Sequence, residues 1–224
     1  MRNALADSHL RRLDHLTEQV IASLEPLSFE TVESATDLDA VYRMRYQCVV
    51  EQGWANPEDF PDGRERDASD SVATTIVCRD GDAIAGTVRM IPPGPEGVLP
   101  SERHFGFRLE PPGRAVESGR LVIGSNYRGG AGHPVLAGLF SRCWLEARQA
   151  GYDRVIALIP SKLIAVYRDL GVRVIELATP GLHWGQERTP VEIDGAEDTF
   201  AAVRESEAAA AVGRGGFEPP TDGL

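Results

Sequence analysis

The chain has 224 residues, 42% hydrophobic and 25% charged, an ordinary globular composition with length for one domain and extensions or for two small domains. A formal net charge of −11 argues against free nucleic acid as a partner, because phosphate binding needs a concentrated positive surface. No run approaches 18 apolar residues, no basic amphipathic segment would hold anionic lipid, no apolar signal segment follows Arg2, and the three cysteines are odd in number and scattered; the expectation is a cytoplasmic protein without membrane insertion.

In chain order, residues 8–25 place Leu10, Leu13, Leu16, Val20, Ile21 and Leu24 at helical spacing, with Ser8 as cap and Pro26 as terminator. Residues 27–33 read as a short strand. A second helix is expected over 36–53, capped by Thr36 or Asp37, with Leu38, Val41, Met44 and Cys48 as its apolar stripe. Residues 55–71 form a polar loop rich in Asp, Pro and Gly. Strands over 72–80 and 83–91 meet across Asp80-Gly81-Asp82, a hairpin signal. A Pro- and Gly-rich stretch then opens a loop containing Phe105, and a strand over 115–123 follows. Next come a helix over 134–151, starting at Pro134 and stopped by Gly151, a buried strand over 153–160, and a helix over 161–171 bounded by Ser161 and Gly171. Strands over 172–177 and 189–194 complete the order. This succession implies an α/β or α+β sandwich around one mixed sheet. Residues 1–26 are expected to be an N-terminal helical extension, 27–204 the main domain, and 205–224, low in complexity, a disordered tail.

Several charged residues stand where a plain core would use apolar ones. Glu117 and Arg120 lie three apart in the 115–123 strand, on opposite faces of an ideal strand unless a bulge at Gly119 turns one of them. Arg89 lies inside another strand, Asp67 and Asp70 just before one, Arg45 on the second helix and Trp54 just after it. Singly, each has a plain reading: a solvated arginine, turn-forming aspartates, an edge aromatic. Together, two arginines and a glutamate within strands require partners. Residues 126–131, Asn-Tyr-Arg-Gly-Gly-Ala, precede a helix, where exposed backbone N–H groups attract phosphate. His104, His133 and His183 are isolated and read as structural; metal-ligand spacing, a Gly-x-Ser-x-Gly elbow and a Walker loop are all absent from the sequence.

The ordered set "VYRMRYQCVVEQGW", "RDASD", "GTVRM", Phe105 and "ESGR" resembles the acyl-homoserine-lactone synthase family, the autoinducer synthases of quorum sensing, over roughly residues 36–195. It is also similar to the N-acyl amino acid synthases and the exosortase-associated acyltransferases. Arg45, Trp54, Asp67, Asp70, Arg89, Phe105, Glu117 and Arg120 fall on the family's positions in order, while Val49 stands where the family has an aromatic. The resemblance implies a GNAT-like three-layer sandwich, a central mixed β-sheet flanked by helices. It implies an N-acyltransferase that moves a fatty acyl group from an acyl carrier protein or acyl-CoA to the amine of S-adenosylmethionine, with lactone formation and no tightly bound cofactor. In that frame Glu117 and Arg120 are catalytic, and Arg45, Trp54, Asp67, Asp70, Arg89 and Phe105 shape the acceptor pocket. Gly129, Gly130 and Ala131 would hold the donor's pyrophosphate. Trp54 would meet the sulfonium through cation–π attraction, and an acyl slot would fall between the 153–160 strand and the 134–151 helix, where plain core is the favoured reading. Arg142, Arg148, Arg154, Lys162, Arg168 and Arg173 would form a basic patch for an acidic carrier protein. Two alternatives stand beside this reading: an N-acyl amino acid synthase with a free amino acid as acceptor, and a GNAT-like module that binds acyl-CoA or carrier protein without turnover.

Overall fold

The structure, a computed structural model, describes residues 2–128, 132–195, 199–201 and 205; for 2–6, 132 and 133 it describes the backbone alone. The predicted tail from 205 onward lies, Glu205 apart, outside the described residues. In chain order the elements are α1 (Arg2–Ser23), β1 (Ser28–Thr31), α2 (Ala35–Glu51), β2 (Thr74–Asp80), β3 (Ala83–Ile91), α3 (Pro100–Phe105), β4 (Ala115–Ile123), α4 (Gly132–Gln149), β5 (Arg154–Pro160), α5 (Ile164–Asp169), β6 (Val172–Glu176), β7 (Gly181–His183) and β8 (Gln186–Gly195).

One mixed sheet runs β1-β2-β3-β4-β5-β8-β6, with β7 paired to β8. Every pairing is antiparallel except β4 with β5, which are parallel and joined by the α4 crossover, as a parallel pair demands. Strand alternation divides the side chains between two faces. Ile76, Cys78, Met90, Val116, Val155, Ala157 and Ile159 point into the main core, where α1 contributes Leu13 and Val20, the turn after it Leu24, and α4 Val135, Leu139, Cys143 and Trp144. A second core of Leu99, Leu109, Ala115 and Ile156 lies on the opposite face, beneath α3. The expected three-layer sandwich is therefore the architecture observed. Two glycines permit its close approaches. A Cβ at Gly138 of α4 would lie 2.0 Å from the Phe29 ring, and one at Gly195 would lie 2.1 Å from Leu13.

Several local expectations need correction. Ser8 does not cap α1, which begins before it at Arg2. α2 is capped by Ser34, whose Oγ accepts from the Asp37 N–H at 3.0 Å, not by Thr36 or Asp37; three of the four residues 34–37 are capping types and the backbone turns at the first. The buried face of α2 is Val41, Arg45, Cys48 and Val49, so a guanidinium is buried where the expected stripe has Met44. Phe105 ends a six-residue helix in a region read as loop. The last strand is longer than 189–194 and pairs with β7 through a two-residue turn in which Trp184 and Gly185 both have positive φ, 51° and 72°.

Candidate active site

The site begins with a bulge. Thr87 pairs with Val122 but Arg89 pairs with Gly119, so two residues of β4, Arg120 and Leu121, oppose one of β3. The bulge is thus centred on Arg120, with φ 51°, and not on Gly119. It resets the alternation, and Arg120 turns to the same side as Glu117 and Arg89. Arg120 and Trp184, both non-glycine residues in the left-handed region, meet there: the guanidinium carbon lies 3.9 Å from the centre of the indole. Two strained residues in contact at a cleft are the kind of arrangement that a functional constraint sustains.

Three arginines and three carboxylates interlock above this face. Arg45, fully buried, donates from Nε to Glu65 at 2.6 Å and from Nη1 and Nη2 to Asp70 at 2.8 and 3.2 Å. Arg89 donates from Nη1 and Nη2 to Asp67 at 2.7 and 3.1 Å and lies 2.8 Å from Asp70. Arg120 joins Glu65 at 2.9 Å and Asp67 at 2.7 Å. The two aspartates also perform the turn chemistry of their loop: Asp67 accepts from the Ser69 N–H and Asp70 from the Asp67 N–H, a reciprocal cap on the 3₁₀ turn Ala68–Ser71. The set is charge-balanced, three against three. Burial works to raise Asp67, but the hydrogen bonds and charge of Arg89, with Arg120 beyond, hold its carboxyl down at about 2. Asp70 is lowered in the same way by Arg45.

Glu117 stands apart from that balance. It is 6% exposed, accepts from the Ser101 N–H at 2.8 Å, and is pushed above the usual carboxylate range by burial, against the opposing pull of that N–H and of Arg89 and Arg120. Its neighbour Glu102 is occupied otherwise, accepting from the Leu99 and Leu109 N–H groups and so pinning the loop around α3.

A cavity of about 510 Å³ opens in front of Glu117. It exists because β4 and β5 part: their last pair is Ser118 with Ala157, yet β4 continues to Ile123 and β5 to Pro160. Residues 119–123 and 157–160 line it, together with Leu136, Phe140 and Cys143 of α4 and with Trp54, Asp67, Arg89, Trp184 and Arg188. The cavity reaches residues between β5 and α4 that the sequence favours as plain core over an acyl slot.

Of the residues singled out in the sequence, Glu117, Arg120, Arg89, Asp67 and Trp54 line the cavity, and Arg45 and Asp70 support it from behind. Phe105 does not line it; its ring packs 6.1 Å from His183, which does. Burial, together with the charges of His104, Arg188 and Arg120, lowers His183 to about 4, so it is neutral near pH 7. Gly129, Gly130 and Ala131 lie outside the described residues, as does the side chain of His133. Val49 is fully buried in α2, where the core sets its size. The predicted basic patch does not stand free: Arg142, Arg148, Arg154, Arg168 and Arg173 each pair with a carboxylate, of Glu146, Asp14, Glu192, Glu176 and Asp194. Sequence reasoning missed Glu65, Trp184 and Arg188. Glu65 sits in an acidic, arginine-rich loop that reads as solvated, while the His-Trp-Gly-Gln turn was the available signal for the other two. Among the described residues no helix is long and apolar enough to cross a membrane, and no group of His, Cys, Asp and Glu could hold a metal ion.

Comparison with known proteins agrees with this architecture. The structure of BjaI, a CoA-dependent acyl-homoserine lactone synthase, with SAM and isopentyl-CoA, superposes with TM-score 0.61 at 20% identity, over 78% of this chain and 83% of that one. FeeM, an N-acyl amino acid synthase from uncultured soil microbes, gives 0.55 at 18% identity, over 77% and 92%. An acyl-CoA N-acyltransferase from Pseudomonas aeruginosa gives 0.50 at 20% identity, over 74% and 98%. At these identities the likeness establishes the fold. No curated protein matches the chain. The family model described as N-acyl amino acid synthase FeeM matches residues 40–180, a span that carries Arg45, Trp54, Asp67, Asp70, Arg89, Glu117 and Arg120. The chain belongs to the N-acyl amino acid synthase FeeM family and is an acyltransferase.

Proposed function

We propose that the protein transfers an acyl group from a thioester, acyl-CoA or acyl carrier protein, to the α-amine of a free amino acid. The observation that carries this reading is Glu117: a buried carboxylate of raised basicity facing a cavity that the parting of β4 and β5 opens through the sheet. The thioester lies in the gap, its acyl chain against Leu136, Phe140 and Cys143. The amine approaches from the mouth and gives a proton to Glu117, directly or through water, as its nitrogen attacks the thioester carbonyl. Backbone N–H groups of 119–123 that face β5 without a ladder partner there are the donors available to the developing oxyanion. Collapse breaks the C–S bond, the thiolate takes the proton from Glu117, and an amide and a free thiol leave.

A second reading keeps the transfer and makes S-adenosylmethionine the acceptor, with lactone formation; the convergence of the autoinducer-synthase positions on one cleft favours it. Charge favours the free amino acid. Trp54 and Trp184 already face guanidinium groups, Arg188 at 6.0 and 5.7 Å and Arg120 at 3.9 Å, so a sulfonium placed there would meet two like charges. Incubation of the purified protein with acyl-CoA or acyl carrier protein and either acceptor, read by mass spectrometry, tests both. An N-acyl amino acid is the expected product; an acyl lactone with methylthioadenosine would replace the first reading by the second.

A further inference from the structure

We infer that Arg188 is the residue that binds the α-carboxylate of the acceptor. The inference rests on the amino-acid reading above and goes beyond it by assigning the anchor. Arg45, Arg89 and Arg120 are each neutralised by Glu65, Asp67 and Asp70. Arg188 is not: among the described residues no carboxylate reaches it, and its buried Nε has no partner. Burial lowers its pKa and the charge of Arg120 lowers it further, against an opposing pull from Tyr167. A guanidinium held in a cavity without an anion is a binding site for one.

Its placement fits the reaction. Nη1 donates to the Leu158 carbonyl at 3.1 Å, and Leu158 is the first residue of β5 beyond its last pair with β4. The guanidinium therefore stands where the two strands part. With Nη1 engaged, the Nε–Nη2 edge remains, the side that receives a carboxylate through two parallel hydrogen bonds. The indoles of Trp54 and Trp184 flank the group and limit its orientation. An acceptor fixed there by its carboxylate has its α-amine within the same cavity as Glu117.

The test is the Arg188→Gln variant, assayed with a free amino acid, the corresponding amino-acid amide and the corresponding decarboxylated amine. KM for the free amino acid is expected to rise roughly 10- to 100-fold, the loss of a charge-assisted pair, with KM for the amide, the amine and the acyl-CoA donor unchanged. Arg188→Lys should fall between, keeping the charge without the fork. A parallel rise for acid, amide and amine would show that Arg188 only braces β5 and overturn the inference, as would a rise confined to acyl-CoA, which would place a phosphate there instead. Unchanged KM values throughout would also overturn it. Should the wild type acylate S-adenosylmethionine and no free amino acid, the proposed function fails, while the same ratio, taken against decarboxylated S-adenosylmethionine, still decides Arg188.

Discussion

Arg45 illustrates how a buried charge can support a cleft without lining it. It is fully buried between Glu65 and Asp70, and its removal would leave two buried carboxylates facing each other. Arg45→Met is therefore predicted to destabilise the fold by about 3–5 kcal/mol, read by urea denaturation. Asp67 sets a pH dependence. Its folded carboxyl sits at about 2, below the ordinary value of 3.8, so the unfolded chain takes up the proton first. The stability it contributes is complete above about pH 4 and is lost as pH falls towards 2. Partial exposure moderates the size, and the predicted result is that Asp67→Asn flattens the acid limb of melting temperature against pH. Glu117 has the opposite sign: raised in the fold, it favours the native state at low pH and costs stability as pH rises through its folded value. At this scale the sequence spoke through charges inside apolar periods. Arg89, Glu117 and Arg120 in strands were legible for that reason, while Arg45, outside the expected stripe of Leu38, Val41, Met44 and Cys48, stood out through the family resemblance. Glu65 and Arg188 were not, because each stands among charged neighbours in a segment that reads as exposed.

The parting of β4 from β5 is the element on which the site depends, and Gly119 lies at its edge. A Cβ built there meets no atom within 4 Å, and the backbone is not left-handed, so a side chain is free to enter the cavity. Gly119→Leu is predicted to keep the melting temperature within about 2 °C of the wild type while raising KM for substrate at least tenfold. An unaltered KM would mean that substrate does not cross this face. The bulge beside it shows why Glu117 and Arg120 converge although they stand three positions apart, on opposite faces of a regular strand. The sequence allowed for a bulge, but placed it at the glycine because glycine relieves left-handed strain. The fold puts it at Arg120, held by Glu65, Asp67 and Trp184. The β7–β8 hairpin escaped for a related reason: its turn carries tryptophan where hairpin signals carry Asn, Asp or Gly.

Across the whole molecule, one sheet separates two kinds of interior. The α1 and α4 face is largely apolar; the α2 and α3 face holds the ion network and Glu117, and the cavity reaches α4 through the gap where β4 and β5 part. A chain of net charge −11 thus gathers four arginines against three carboxylates at one cleft, with a carboxylate of raised pKa beside them. The three-layer order was readable because strand and helix periods alternate clearly from residue 72 onward. The cavity was not, since it arises from strands that cease to pair, and pairing leaves no mark in a single strand's pattern. Glu117 is the proposed base that takes the amine's proton, and the most direct measurement is the rate of acyl transfer under saturating substrates for wild type and Glu117→Gln, with melting temperatures recorded beside it. A fall of about 10²–10⁴-fold with the fold intact is the predicted result; a variant that turns over within about threefold of the wild type would contradict it.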